Sequence, residues 1–396
     1  MKTVTQLMLI LALILSAFTV EAADIYDFEI DGICYKIIGT KEVEVSPKVK
    51  YDDLAKKNDY SGDIFIPDKL VITDQISGVS ITFNVIRIGE HAFSYSKLGV
   101  LTISDGIEEI CYSAFRNTTA KEIIMPSSLK TIGYAAFASA DIEELKIPDG
   151  VIKIGTQAFI SSSLKKINIP ASVTTVGGSI TENCNKLESL IYEDSMEELS
   201  ASSTYEKLGD LPSKYLYIGR DLEELNTGWI KENPVWTIEF GKNFTGINKN
   251  FFKNITFVDK IIMRGSTPPK AITIKSSEKE VVASIRESIY ENCTLYVPEG
   301  SLFDYQSTYL WGKFVNIKEY DPTNPPSSVR EMESDKLKIY AINNNIIVEG
   351  VGLSEVIIYS IDGCLLYKGK SNHIEVPSVG IYIVRVGNHT AKVIVK

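Results

Sequence analysis

Ile110-Cys-Tyr-Ser-Ala-Phe115, Ile132-Gly-Tyr-Ala-Ala-Phe137 and Ile154-Gly-Thr-Gln-Ala-Phe159 follow one another at intervals of 22 residues. Upstream, Ile88-Gly-Glu-His-Ala-Phe93 is a further copy, and downstream Val176-Gly177 extends the column. A second column follows each Phe: Leu101-Thr-Ile-Ser104, Ile123-Ile-Met-Pro126, Leu145-Lys-Ile-Pro148 and Ile167-Asn-Ile-Pro170. The Leu-x-Ile alternation has period two, so each is a short strand with one face inward. The Pro that follows lacks a ladder donor and ends the strand. Ile-Gly reads as a turn, and Ala-Phe returns an aromatic wedge to the interior. One such coil orders too many residues for the apolar surface it buries, so coils must stack and share a core.

Outside the regular copies, Leu187-x-x-Leu190, Leu216-Tyr-Ile218, Ile238-Glu-Phe240 and Ile261-Ile-Met263 still read as strands at uneven spacing. About ten rungs of parallel strand are expected, each about 4.8 Å from the next. In every rung the residue between the two inward apolar positions must point out. That rule places Thr102, Ile124, Lys146, Asn168, Ile191, Tyr217, Glu239, Ile262 and Tyr296 in one outward column, the candidate ligand face. The aromatic members Tyr217 and Tyr296 are the expected anchors. Ahead of the repeat, Phe28-Glu-Ile and Cys34-Tyr-Lys-Ile-Ile flank Asp31-Gly32, a hairpin signal, and Glu42-Val-Glu-Val-Ser46 adds a strand. Residues 24–60 are expected to cap the first coil.

The Leu-x-Ile-Pro, Ile-Gly and Ala-Phe columns resemble the BspA-like branch of the leucine-rich repeat family, bacterial surface proteins. The resemblance spans residues 61–320. It opens on Ser61-Gly-Asp-Ile-Phe-Ile-Pro67 and closes on Thr294-Leu-Tyr-Val-Pro298 with Tyr305 and Trp311. The Asn ladder of the commoner leucine-rich repeats is absent. The resemblance implies a mainly β solenoid and a surface recognition or adhesion protein, with host matrix proteins or other cells as partners. A structural or glycan-capturing component of the bacterial envelope is the alternative.

Asp321-Pro-Thr-Asn-Pro-Pro-Ser-Ser328 opens a Pro-rich linker, residues 321–335. Residues 336–396 then show short strands only: Leu337–Ile342, Ile346–Val351, Val356–Ile361, Cys364–Lys368, Ile374–Val376, Ile381–Val386 and Ala391–Val395. Turn pairs such as Asp362-Gly363 separate them, which predicts a small antiparallel β-sandwich. Tyr359-Ser-Ile-Asp-Gly363, Gly380-Ile-Tyr-Ile-Val384 and Lys392-Val-Ile-Val-Lys396 resemble the C-terminal sorting domain of type IX secretion cargo in Bacteroidetes. That resemblance implies sorting or anchoring; the other reading is a passive stalk.

Residues 1–23 read as a secretory signal peptide: Lys2, the apolar run Leu7–Leu15, then Ala22-Ala23 before Asp24. No later segment has the roughly 20 apolar residues of a membrane helix. A surface-bound or secreted product is expected, of unspecified oligomeric state. The chain carries 41 Lys+Arg against 51 Asp+Glu, a net charge of −10. That balance argues against nucleic acid, whose phosphates demand a basic face. The sequence carries none of the usual hydrolase, nucleotide, zinc or calcium signatures, so neither catalysis nor a cofactor is expected. His91 sits in a repeat turn and reads as a solvated turn residue, as do His373 and His389 in the sandwich. Five scattered Cys (34, 111, 184, 293, 364) read as small buried hydrophobes.

Overall fold

The structure, a computed structural model, describes residues 25–49, 58–73, 78–197, 199–201, 209–222, 232–247, 251–271, 274–276, 279–281, 285–326, 338–342, 345–349, 356–360, 365–369, 373–386 and 389–395. The expected signal peptide, most of the linker and Cys364 lie outside these residues. The chain divides into two compact units, one ending at Pro322 and one beginning at Thr323.

The first unit is a β-solenoid of about nine turns. Its strand ladder begins with Ser61–Ile66, Lys97–Ile103 and Thr119–Ile124, paired in parallel. Single bridges, Thr119↔Asp141 and Glu144↔Lys166, carry it across the next coil. Seven parallel strands follow: Lys166–Ile169, Ser189–Tyr192, Tyr215–Ile218, Asn233–Phe240, Ile255–Met263, Thr294–Pro298 and Asn316–Tyr320. The last of these was not separable in the sequence, because Asn316-Ile-Lys-Glu-Tyr320 has little apolar alternation.

The Ile-Gly column is more than the turn expected from sequence. Glu109–Ile110, Thr131–Ile132, Lys153–Ile154 and Thr175–Val176 pair in parallel and form a second sheet opposite the first. The N-terminal cap is built into that sheet. Phe28–Ile30 and Ile33–Ile37 form an antiparallel hairpin, with Asp31 and Gly32 at φ 51° and 77°, the handedness a two-residue turn requires. Glu42–Ser46 pairs antiparallel with the hairpin on one side and parallel with Ser80–Ile88 on the other. The sheet thus passes from cap to solenoid without a free edge between them.

The Phe column is the interior spine of the regular coils. Phe93, Phe115, Phe137 and Phe159 are fully buried. Neighbouring rings stack with centroids 5.4, 5.0 and 5.9 Å apart and nearly parallel planes. Tyr60 from the cap side covers the first ring at 5.0 Å. Coils approach closely enough that a Cβ on Gly155 would lie 2.6 Å from the backbone carbon of Gly133, which explains the glycine column.

Two further columns were not expected. His91, Ser113, Ala135, Gln157 and Ser179 all have left-handed backbones, and so do Tyr95, Asn117, Ser139, Ser161 and Asn183. They stand two residues before and two after each Phe position. With this alternation the N–H groups of Ser113, Phe115 and Asn117 donate to Tyr134, Ala136 and Ala138 of the next coil at 3.0, 2.7 and 2.9 Å. Each left-handed L-residue costs about 1–2 kcal/mol. The rung-to-rung hydrogen bonds and the buried Phe spine offset it.

Beyond residue 180 the core changes character. Phe240, Phe244, Phe251, Phe252 and Trp311 form an aromatic cluster. Trp311 Nε1 donates to Pro269 O at 2.8 Å. Buried Arg220 donates to the carbonyls of Glu193, Val173 and Pro170 at 3.0, 2.6 and 2.7 Å, pinning three successive coils. Cys34, Cys111, Cys184 and Cys293 are free and buried.

In the second unit, Lys338–Ile342, Asn345–Glu349 and His373–Glu375 form one antiparallel sheet. Leu365–Gly369, Val356–Ser360, Gly380–Val386 and His389–Val395 form another. Ile346, Ile358, Ile374, Tyr382 and Val384 share one core between them, as a β-sandwich requires.

Candidate functional site

The outward column lies in register. Phe65, Thr102 and Ile124 are consecutive Cα partners. Lys146 stands two residues beyond the Glu144↔Lys166 bridge, and Asn168, Ile191, Tyr217, Glu239, Ile262 and Tyr296 are again consecutive partners. Register alone does not make them equivalent. Ile124 is 43% exposed, Lys146 is exposed, and Thr102, Asn168 and Tyr296 are half-buried. Ile191, Tyr217, Glu239 and Ile262 are buried, against the expectation of an open face.

The reason for that burial is partly visible in the contacts. Tyr215 and Tyr217 on one rung and Arg264 two rungs further on share this face, side chains long enough to close over their neighbours. Glu239, 0% exposed, accepts from Tyr215 Oη at 2.6 Å and is paired with Arg264. Tyr217 Oη donates to Asp194 at 2.7 Å, and the Arg264 guanidinium lies 5.9 Å from the Tyr217 ring centroid. Burial pushes the Glu239 carboxyl above its ordinary range, against the Tyr215 hydrogen bond and the Arg264 charge. Burial also raises the Tyr215 and Tyr217 phenols. The tyrosine expected as an anchor is therefore occupied within the fold.

The open part of the face is in the first coils. Phe65 heads the column at 61% exposure. It was missed although it is the residue between the inward Ile64 and Ile66 of the opening coil. Lys97-to-Ile103 and Thr119-to-Ile124 follow it. A depression of about 650 Å³ crosses Ile124 and Lys146 and is lined by Glu122, Met125 and Pro148. It combines apolar surface with one cation, Lys146, and two carboxylates, Glu122 and Asp149, chemistry suited to non-covalent recognition. Asn168 is tied down, its Nδ2 donating to Glu193 at 2.6 Å. Among the described residues no cluster of three or more His, Cys, Asp or Glu could hold a metal ion.

His91 is not simply solvated. It is half-buried, with its ring edge-on to Tyr112 at 5.0 Å and Nδ1 3.2 Å from Ser94 Oγ. Burial, aided by the Arg116 charge, lowers its pKa to about 4.

Residues 86–208 match, in six copies, the family described as "BspA type Leucine rich repeat region". No curated protein matches the chain. Among solved structures, it is similar to a leucine-rich repeat protein from Bacteroides ovatus ATCC 8483, with 18% identity, 75% of this chain and 77% of that one covered, and TM-score 0.38. The pneumococcal vaccine antigen PcpA matches at 14% identity, 76% and 100% coverage, and TM-score 0.23. A leucine-rich cell surface protein from Faecalibacterium prausnitzii A2-165 matches at 14% identity, 77% and 96% coverage, and TM-score 0.26. At these TM-scores the superpositions are loose.

Proposed function

We propose that the protein is an exported surface recognition protein that binds protein partners through the outward strand face of its first coils. The observation that carries this reading is the exposed, in-register pair Phe65 and Ile124 beside the depression at Lys146. Rigid parallel ladders are used by repeat proteins to present extended binding surfaces. Exposed aromatic and aliphatic side chains next to a cavity are the usual anchors of such contacts. Extracellular matrix proteins and other cells are the partner classes the repeat family suggests.

The remaining divisions of the chain belong to the same proposal. Residues 1–23 direct export, and residues 336–396 serve sorting or anchoring, a reading supported by the three short motifs of that sandwich. A 329–396 fragment should give dispersed amide NMR signals; a collapsed spectrum would count against an independent module. For the face, Phe65→Ser and Ile124→Ser should weaken capture of immobilised matrix proteins by about tenfold or more at unchanged melting temperature. Equal capture by both variants and their double would sink the reading.

A further inference from the structure

A second candidate site lies on the opposite, Ile-Gly side of the first coils. It is a groove of about 930 Å³, bordered at the cap end by Ile25 and Pro47. One wall is a register line of the second sheet: Glu44, Arg87, Glu109, Thr131 and Lys153. Arg87 Nε pairs with Glu44 at 2.7 Å, and its guanidinium reaches Glu109 at 3.9 Å. The other wall is aromatic. Tyr112 and Tyr134 stack at 5.5 Å and are 37% and 46% exposed, and His91 stands edge-on at 5.0 Å. Nothing in the solenoid's packing requires large aromatics there, since the equivalent position in the next coil is Thr156.

We propose that this groove binds a neutral, extended oligosaccharide. Three features select that ligand class. First, the charges cancel: Lys36, Arg87 and Lys153 face Glu44, Glu90 and Glu109. His91 adds none near neutral pH, because its burial disfavours the cation. A polyanion or polycation therefore meets no net field. Second, the floor offers no strand edge. Gly133 N–H and Gly155 N–H are committed to Ile110 O and Ile132 O, both at 2.7 Å, so a peptide backbone cannot add to the ladder here. The glycines also leave no side-chain pockets to read a peptide's residues. Third, the charged wall interleaves acceptors, Glu44 and Glu109, with donors, Arg87 and Lys153, and with the Thr131 hydroxyl, on rungs about 4.8 Å apart, while the facing wall is aromatic. A sugar chain needs that combination: hydroxyls that both donate and accept, and ring faces that pack on aromatic carbon.

The test is calorimetry of the full chain with neutral hexasaccharides of glucose, mannose and N-acetylglucosamine. A heparin hexasaccharide and an uncharged capped decapeptide serve as comparison probes. At least one neutral sugar should bind with a Kd below ~1 mM. Tyr134→Ala and the isosteric Glu109→Gln should each weaken it by about tenfold at unchanged melting temperature, and Phe65→Ser/Ile124→Ser should leave it intact. Three results would overturn the proposal: no neutral sugar in that range, binding that survives both groove variants, or tighter binding of heparin or the peptide. None of them would touch the strand-face reading, which is probed by the other pair of substitutions.

Discussion

The coils before residue 180 and those after it solve one stacking problem in two ways. In the first set the copies from Ile88 to Gly177 keep one length, so like meets like: Phe on Phe, Gly against backbone, and left-handed residue above left-handed residue. In the second set the spacing varies and no side-chain column can persist. Each contact is made individually, by Arg220 on three carbonyls, by Trp311 on Pro269, and by Glu239 on Tyr215 and Arg264. The left-handed non-glycine columns stop at Asn183 among the described residues. Repetition lets one favourable geometry be copied, strain included. Irregularity requires polar side chains to be buried as cross-braces, and on the outward face it leaves Ile191, Tyr217, Glu239 and Ile262 buried.

The difference can be broken at its strongest point first. Phe137 sits mid-stack, with rings at 5.0 and 5.9 Å on either side. Phe137→Ala should cost about 3–5 kcal/mol in denaturant melts of the full chain. A loss under about 1 kcal/mol would show that the spine does not hold the regular coils together. In the irregular half the corresponding weak point is electrostatic. Arg264→Met leaves the Glu239 carboxylate buried without its cation, a change expected to cost about 3 kcal/mol. Adding Glu239→Gln should recover most of that loss, since the uncompensated charge is then gone. The exposed pair Lys165–Glu143 spans two regular coils at 2.6 Å, yet Glu143→Gln should leave the midpoint unmoved, because solvent screens it.

The two halves also differ in what their residues disclose. The 22-residue columns gave the solenoid, the strand positions and the Phe spine directly. Asp31-Gly32 gave the cap hairpin, and turn pairs gave the strands of the sandwich to within a few residues. The second sheet was hidden because its strands are two residues long, too short for alternation to register. Depth on the outward face was hidden for a different reason. Parity assigns Tyr217 and Glu239 to a face but says nothing of what closes over them, which depends on Arg264, one rung from Glu239 and two from Tyr217. Phe65 was readable by the same parity rule. The left-handed columns carried a faint signal: none of their ten positions holds Val, Ile or Thr, the residues that tolerate positive φ least.

That signal yields a test of smaller size. Ala135 has φ 50°, a backbone conformation that its Cβ disfavours by more than the burial of one methyl returns. Ala135→Gly should raise stability by about 0.5–1 kcal/mol. Ala138, three residues on and not left-handed, should lose a similar amount as Ala138→Gly. If both substitutions destabilise equally in thermal melts, the turn stores no strain and the copying argument is wrong.

A further effect of similar size is a pH dependence confined to the regular half. His91 is the single histidine before Pro322. Its pKa is lowered to about 4 by burial first and by the Arg116 charge second. The unfolded chain holds the ordinary value near 6.5. Between those values the unfolded state binds more protons than the folded one, so stability is highest above about pH 6.5 and falls as pH drops toward 4. The ring is half-exposed, so solvent screening reduces the effect to roughly 1 kcal/mol or less. His91→Asn keeps a residue tolerant of left-handed backbone and removes the titration. Carboxylates and the sandwich histidines titrate alike in both proteins, so their contribution cancels in the difference. Stability measured from pH 7.5 to 4.5 should converge as pH falls, the wild type losing more than the variant. Hydrogen exchange should place that loss in coils 88–137 rather than 215–297. Parallel curves would show that the imidazole is solvated after all and that the aromatic wall around Tyr112 does not desolvate it.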